Sequence, residues 1–296
     1  MPEQSDHVTC IPLDRVLWHF RNHVLAKMSR WATIPMARKY RSSKLRRQIE
    51  ESKPLVLILQ MGKVGSSSIV SHIRNARLDC NLLHAHYLDA LRTPKEHGDP
   101  VGSALLFPTA ADLGLLMPAI RERISNGRPL KIITAVRNPL IRLKSAFLQN
   151  IESHLVGKHA YGLRWPAPVR LTDEQLCELI REFELDFQLE WFERELEPLT
   201  GINVYSRQFP SERGYDIFES SSTSVFLYQF EKLSDLHVNM ALNQWLGVTH
   251  QDRRLPHVNE SPARLKATQI QLSRVGLPSE TEAKIRSSGL MRHFYG

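Results

Sequence analysis

The chain has 296 residues, 42% of them hydrophobic, and carries a formal net charge of +8 at pH 7. That is enough for one large domain or two small ones, and it excludes a chain too polar to bury a core. The basic balance points to anionic partners (nucleotides, phosphorylated cofactors, acidic glycans, nucleic acid or lipid headgroups), and three widely spaced cysteines, Cys10, Cys80 and Cys177, exclude a disulfide scaffold and a CxxC pair and favour a reducing compartment.

Residues 1–52 read as a basic, partly helical extension ahead of an α/β body over 53–296. From Val16 to Trp31 an irregular amphipathic pattern runs into "MARKYRSSKLRRQ", a segment suited to an anionic membrane surface or a polyanion, or to a packed helix followed by a solvated linker. The longest apolar run, Leu55 to Leu59, is far too short to span a bilayer, and the N-terminus lacks a basic-then-apolar signal pattern. The expected location is cytoplasmic, with membrane association through the basic extension as an added option.

Beyond Pro54 strands and helices alternate. Leu55 to Gln60 predicts a buried parallel strand, followed by a loop and a helix over Ser67 to Arg77. Asn81 to His84 and Ala104 to Phe107 predict further strands, and Pro108 to Asn126 a helix stopped at Gly127. "LKIITAVRNP", from Leu130 to Pro139, predicts a buried strand broken by Asn-Pro into a helix from Leu140 to Ile151. Residues 152–170 suggest a long loop, and "TDEQ" at Thr172 opens a helix reaching toward Glu197. Late strands are expected at Ile202 to Tyr205 and Ser224 to Phe230, a helix at Leu233 to Leu246, and a tail whose aromatics pack on the body. Such alternation implies an α/β fold of three layers, a central parallel sheet flanked by helices.

The chemistry-bearing stretch is "QMGKVGSSSI". A nucleotide triphosphate loop requires G-x-x-x-x-G-K followed by Ser or Thr. Here Val64 follows Gly62-Lys63, and Leu57 stands five residues before Gly62, so that fingerprint fails twice. The physical basis of an anion site nevertheless remains. Gly65 permits close backbone approach, Ser66, Ser67 and Ser68 offer hydroxyls, Lys63 adds a charge, and a helix N-terminus follows. A second element, "RNPLIRLKSAF", places Arg137 at a strand's carboxyl end and Ser145 eight residues later, on the rim where ligands of open α/β sheets bind.

Together the two elements resemble the sulfotransferases that use 3′-phosphoadenosine 5′-phosphosulfate (PAPS), which pair a strand-loop-helix of the K-x-G-[ST]-[ST] kind with a strand-Arg-helix-Ser element. The chain looks most like bacterial capsular polysaccharide synthesis proteins and carbohydrate sulfotransferases of the uronyl 2-O kind, well over Pro54 to Asn150 and loosely beyond. "FLYQFEKLSD" (Phe226 to Asp235) looks like the superfamily's strand ending in a Tyr/Glu/Leu cluster, and "LPHVNESP" (Leu255 to Pro262) like a loop closing over the nucleotide. The resemblance implies a P-loop-like fold and PAPS as cofactor, with 3′,5′-adenosine bisphosphate as product and no metal. Lys63, Val64, Gly65, Ser66, Ser67 and Ser68 would hold the 5′-phosphosulfate, and Arg137 and Ser145 the 3′-phosphate. Lys63 is also the residue expected to stabilise the leaving oxygen.

The expected acceptor is a hydroxyl of a carbohydrate or related small molecule, with no nucleic-acid partner. Its general base is sought among histidines at the same rim. "LLHAHYLDA" puts His84 and His86 at the end of the second strand, and strand alternation puts both on one face. His86 is favoured narrowly over His84, and Asp89, Glu152 and His154 stay open as alternatives. Tyr161 and Trp165 are candidates to stack on a sugar. Two other functions remain: a nucleotide kinase or NTPase with a degenerate loop, disfavoured because "KIITAVRNP" ends in arginine where a magnesium-holding carboxylate is wanted, and a non-catalytic polyanion-binding protein.

Overall fold

Leu55–Leu59, wholly apolar, forms strand β1, and every one of its side chains is buried. A strand hydrophobic on both faces needs neighbours on both edges and helices on both faces. β1 pairs in parallel with β2 (Asn81–Ala85) on one side and with β3 (Leu130–Val136) on the other. The computed structural model describes residues 43–86, 108–148 (backbone alone for 108–116), 171–183, 185–249, 255 and 266–296. Among these, one sheet runs in the order β2-β1-β3-β5-β4, with β4 at Tyr215–Ser220 and β5 at Thr223–Gln229. The protein is thus α/β, with a mostly parallel sheet flanked by helices. The expected strand at Ala104 to Phe107 lies outside the described residues.

Three expectations need correction. β4 was not expected; it pairs antiparallel with β5 through a tight turn at Ser221, φ 43°. The turn carries no Asn-Gly or Gly-X signal, so nothing in the sequence marked a hairpin. Ile202 to Tyr205 forms no strand, because the Asn203 side chain accepts from the Tyr205 N–H at 2.8 Å and curls the backbone into a turn. The helix opening at Thr172 has its full capping box but ends at Arg181 instead of running on. After short helical pieces, a π turn over Phe192–Leu196 leads into Glu197–Thr200, where Pro198 cannot donate to the carbonyl of Arg194.

In chain order the longer helices are α1 (residues 43–50), α2 (Ser66–Ala76), α3 (Pro108–Ser125), α4 (residues 139–148), α5 (Asp173–Arg181), α6 (Leu236–Leu246), α7 (Lys266–Val275), α8 (Ser279–Arg286) and α9 (Gly289–Tyr295). The main core packs β1, β3 and β5 with α2, α6 and the aromatic residues Trp191, Phe192 and Phe294. A second cluster joins Leu143 and Phe147 of α4 to α5, Leu272 and Ile285.

The chain divides into two units, Met1–Lys44 and Leu45–Gly296. Residues 45–52 belong to the second. Ile49 is fully buried, and the buried Arg123 donates to the carbonyls of Ile49, Glu51 and Lys53 at 2.6, 2.8 and 2.6 Å. Among the described residues no helix is long and apolar enough to cross a membrane.

Candidate functional site

The strand order reverses between β1 and β3, because β2 lies beyond β1 while β3 lies on its other edge. At such a reversal the connections leave in opposite directions and a crevice opens beyond the carboxyl ends of the strands. Here those ends feed residues 60–65 on one side and Arg137 on the other.

The loop after β1 is shaped by two left-handed residues, Lys63 (φ 71°) and Gly65 (φ 83°). Lysine in this region costs about 1–2 kcal/mol, and such outliers concentrate where backbone must face a ligand. Among the described residues the backbone N–H groups of Gly62, Lys63, Val64 and Gly65 donate to no hydrogen bond. Successive unbonded amides wound through left-handed residues form an anion-binding concavity. α2 then begins at Ser66 with Gly65 as N-cap, adding the positive end of its dipole. One detail differs from a simple three-serine cradle: the Ser68 amide already donates to the Gly65 carbonyl at 3.0 Å.

Gly65 is needed for conformation and for space. A Cβ there would stand 2.9 Å from Phe230 Cε2 and 3.1 Å from Leu233 Cδ2. We expect Gly65→Ala to destabilise the protein by about 1–3 kcal/mol, read as a lower urea midpoint, and to weaken anion binding at the loop.

A polar network holds the loop from below. Gln60, fully buried, donates through Nε2 to the Tyr228 hydroxyl at 3.1 Å, and that hydroxyl donates to the Val64 carbonyl at 3.1 Å. Burial pushes the Tyr228 pKa up, so the phenol stays protonated as a donor. Arg137 closes the crevice from β3: its Nη1 donates to the Lys63 carbonyl at 2.9 Å, and its guanidinium lies 4.6 Å from the centre of the Phe230 ring. Burial lowers the pKa of Lys63, and the Arg137 charge adds to that effect. Burial also lowers that of Arg137, against the opposing pull of Glu231. Both cations are half-buried, and among the described residues no ion pair holds either of them. Glu231 is occupied elsewhere, accepting from the Asn138 amide and the Tyr295 hydroxyl, both at 2.8 Å.

The two histidines meet as alternation required, with ring centres 4.8 Å apart and planes at 80°. His86 Nδ1 lies 2.8 Å from the Gln60 carbonyl, which can only accept, so Nδ1 carries the proton and Nε2 the lone pair. The His86 backbone carbonyl accepts from Trp191 Nε1 at 3.2 Å, linking the residue to the chain just before the π turn. Burial lowers the His86 pKa, and the Gln60 hydrogen bond partly restores it. His84 is pushed down to about 4 by burial first, then by His86 and Arg74. It therefore stays neutral near pH 7.

The structure thus brings together Lys63, Val64, Gly65, Ser66, Arg137 and, through Gln60, His86. Ser67 and Ser68 follow on α2. Ser145 sits on α4, half-buried, and no hydrogen bond ties it to Arg137 or the loop. Asp89, Glu152, His154, Tyr161 and Trp165 lie outside the described residues, as does "LPHVNESP" apart from Leu255, whose amide donates to Asn239 Oδ1 at 3.0 Å. Cys80 and Cys177 are free and half-buried, and burial raises the Cys80 thiol pKa. Sequence reasoning did not single out Gln60 or Trp191. The one signal for Gln60 is a polar residue ending an apolar strand. No family model, curated protein or solved structure matches the chain.

Proposed function

We propose that the chain is a PAPS-dependent sulfotransferase of P-loop-like fold, acting on a hydroxyl of a carbohydrate or related acceptor. The observation that carries this reading is the hydrogen bond from Arg137 to the Lys63 carbonyl, which joins the arginine at the end of β3 to the lysine-bearing loop after β1, with no ion pair on either cation among the described residues. The residues present suit a ligand with two separated anionic groups: unbonded loop amides and a helix N-terminus on the β1 side, a guanidinium on the β3 side.

When bound, PAPS supplies an electrophilic sulfur joined through oxygen to a 5′-phosphate. In this reading the loop amides with Ser66, Ser67 and Ser68 hold the phosphosulfate, and Arg137 with Ser145 holds the 3′-phosphate. Lys63 places its ammonium where charge gathers on the departing oxygen. His86 keeps its Nδ1 proton on the Gln60 carbonyl and takes the acceptor's proton at Nε2.

Calorimetric titration with 3′,5′-adenosine bisphosphate, with ATP plus magnesium as the comparison, tests the reading without knowledge of the acceptor. Micromolar or tighter bisphosphate binding with much weaker ATP binding is expected. The reverse preference would replace it with a kinase or NTPase, and binding of neither would leave the polyanion-binding alternative in front.

A further inference from the structure

Arg137 lies near a carboxylate with which it does not pair. Glu231, exposed in the short 3₁₀ turn Phe230–Lys232 after β5, is held by two neutral donors: its Oε1 accepts from the Asn138 amide and its Oε2 from the Tyr295 hydroxyl, both at 2.8 Å. Asn138 follows Arg137 in the chain and precedes α4, whose N-terminal dipole favours a carboxylate there. The neighbouring Phe230 has its ring centre 4.6 Å from the Arg137 guanidinium. Burial lowers the Arg137 pKa and Glu231 raises it, yet among the described residues no ion pair joins the two. Tyr295 reaches Glu231 from α9, 64 residues further along. Its helix is fixed independently of that hydroxyl, because Phe294 is fully buried and its carbonyl accepts from Gln229 Nε2 at 2.7 Å. Burial first, then Glu231, push the Tyr295 pKa up, so the phenol stays protonated as a donor.

We propose that Tyr295 is a positioning residue for anion binding: it holds the Glu231 carboxylate on the Asn138 amide and away from Arg137, so that the guanidinium stays available to a phosphate group of the ligand. The use of Arg137 on a phosphate rests on the sulfotransferase reading above; the arrangement of the three side chains does not. A guanidinium offers paired N–H donors that match the two oxygens of a carboxylate, so a Glu231 released from Tyr295 has a charged partner close by. Once paired, Arg137 is available to a ligand only in the fraction of molecules where the pair is open, and the apparent affinity falls by that fraction. The effect is moderate, because Glu231 is exposed and exposed ion pairs are weak.

The test begins with the ligand-free full chain. In isotope-labelled protein the Arg137 Nε–H resonance, assigned by its loss in Arg137→Lys, should move in Tyr295→Phe and return toward its original position in the double variant Tyr295→Phe/Glu231→Gln. Calorimetry with 3′,5′-adenosine bisphosphate should then show binding about threefold to tenfold weaker in Tyr295→Phe. The double variant and Glu231→Gln alone should bind at least as tightly as the unaltered protein. A loss caused by a loosened α9 would persist in the double variant, so this rescue separates a charge effect from a structural one. An Arg137 resonance that stays in place in Tyr295→Phe overturns the proposal. So does an unchanged affinity in that variant, or a loss that Glu231→Gln does not relieve. If the unaltered protein binds no bisphosphate, the sulfotransferase reading fails, and the Arg137 resonance still decides whether Tyr295 keeps Glu231 from Arg137.

Discussion

Arg137→Ala should weaken 3′,5′-adenosine bisphosphate binding by two to three orders of magnitude while leaving the protein folded. Two losses combine. In the proposed reading the guanidinium meets the 3′-phosphate, and a charge-assisted hydrogen bond to an anionic ligand contributes about 1.5–3 kcal/mol. It also fastens the Lys63 carbonyl at 2.9 Å, which holds the left-handed turn of the loop. At about 1.4 kcal/mol per tenfold, loss of both reaches a few hundredfold. Arg137→Lys should rescue little, because an ammonium cannot lie flat over Phe230 while donating both to the loop and to a ligand. Calorimetry gives the affinity, and an unchanged thermal melting curve shows that the variant is folded. A loss below tenfold in Arg137→Ala would mean that the bisphosphate does not bridge the β1 and β3 elements.

On the sulfotransferase reading, His86→Ala should separate nucleotide binding from sulfuryl transfer. Bisphosphate affinity should stay within about twofold, and kcat on a competent acceptor should fall by about 10²–10⁴, the usual contribution of a positioned general base. The pH dependence follows from the direction of the shift. Burial lowers the His86 pKa below the ordinary value near 6.5, so the ring remains neutral and able to accept a proton to lower pH. The acid limb of kcat/KM should accordingly lie below pH 6.5, with activity rising as pH increases through the His86 pKa and then levelling. The limb should vanish from the residual activity of His86→Ala. If His84→Ala removes the limb and His86→Ala does not, the base is His84, whose pKa near 4 would place the limb still lower.

Much of the framework was legible from local pattern. Leu55–Leu59 and Leu130–Val136 are apolar at nearly every position, a composition that only a doubly covered strand satisfies, and both formed strands. The Thr172–Gln175 capping box is a reciprocal pair of hydrogen bonds between residues three apart, so it could be read directly and it is present. β4 was not legible, because its turn lacks the residues that announce a hairpin and its pairing with β5 is what makes it a strand. Ile202–Tyr205 failed for the opposite reason. Its apolar residues matched a strand, but Asn203 bonds the local backbone and wins over the pattern.

The candidate site divides along the same line. By itself the sequence determined the chemical types and their order: a glycine where φ must be positive, a lysine and serines before a helix, an arginine at a strand end, two histidines at alternate positions. These are properties of a residue and its near neighbours. Tertiary structure alone decided that Arg137 bonds the Lys63 carbonyl, 74 residues away, and that Tyr228 supports Val64 across 164. It alone decided that the Gln60 carbonyl fixes the His86 tautomer. The reason is physical: tautomer, pKa and charge pairing depend on what lies within a few ångströms, and strand order, not sequence spacing, sets those distances.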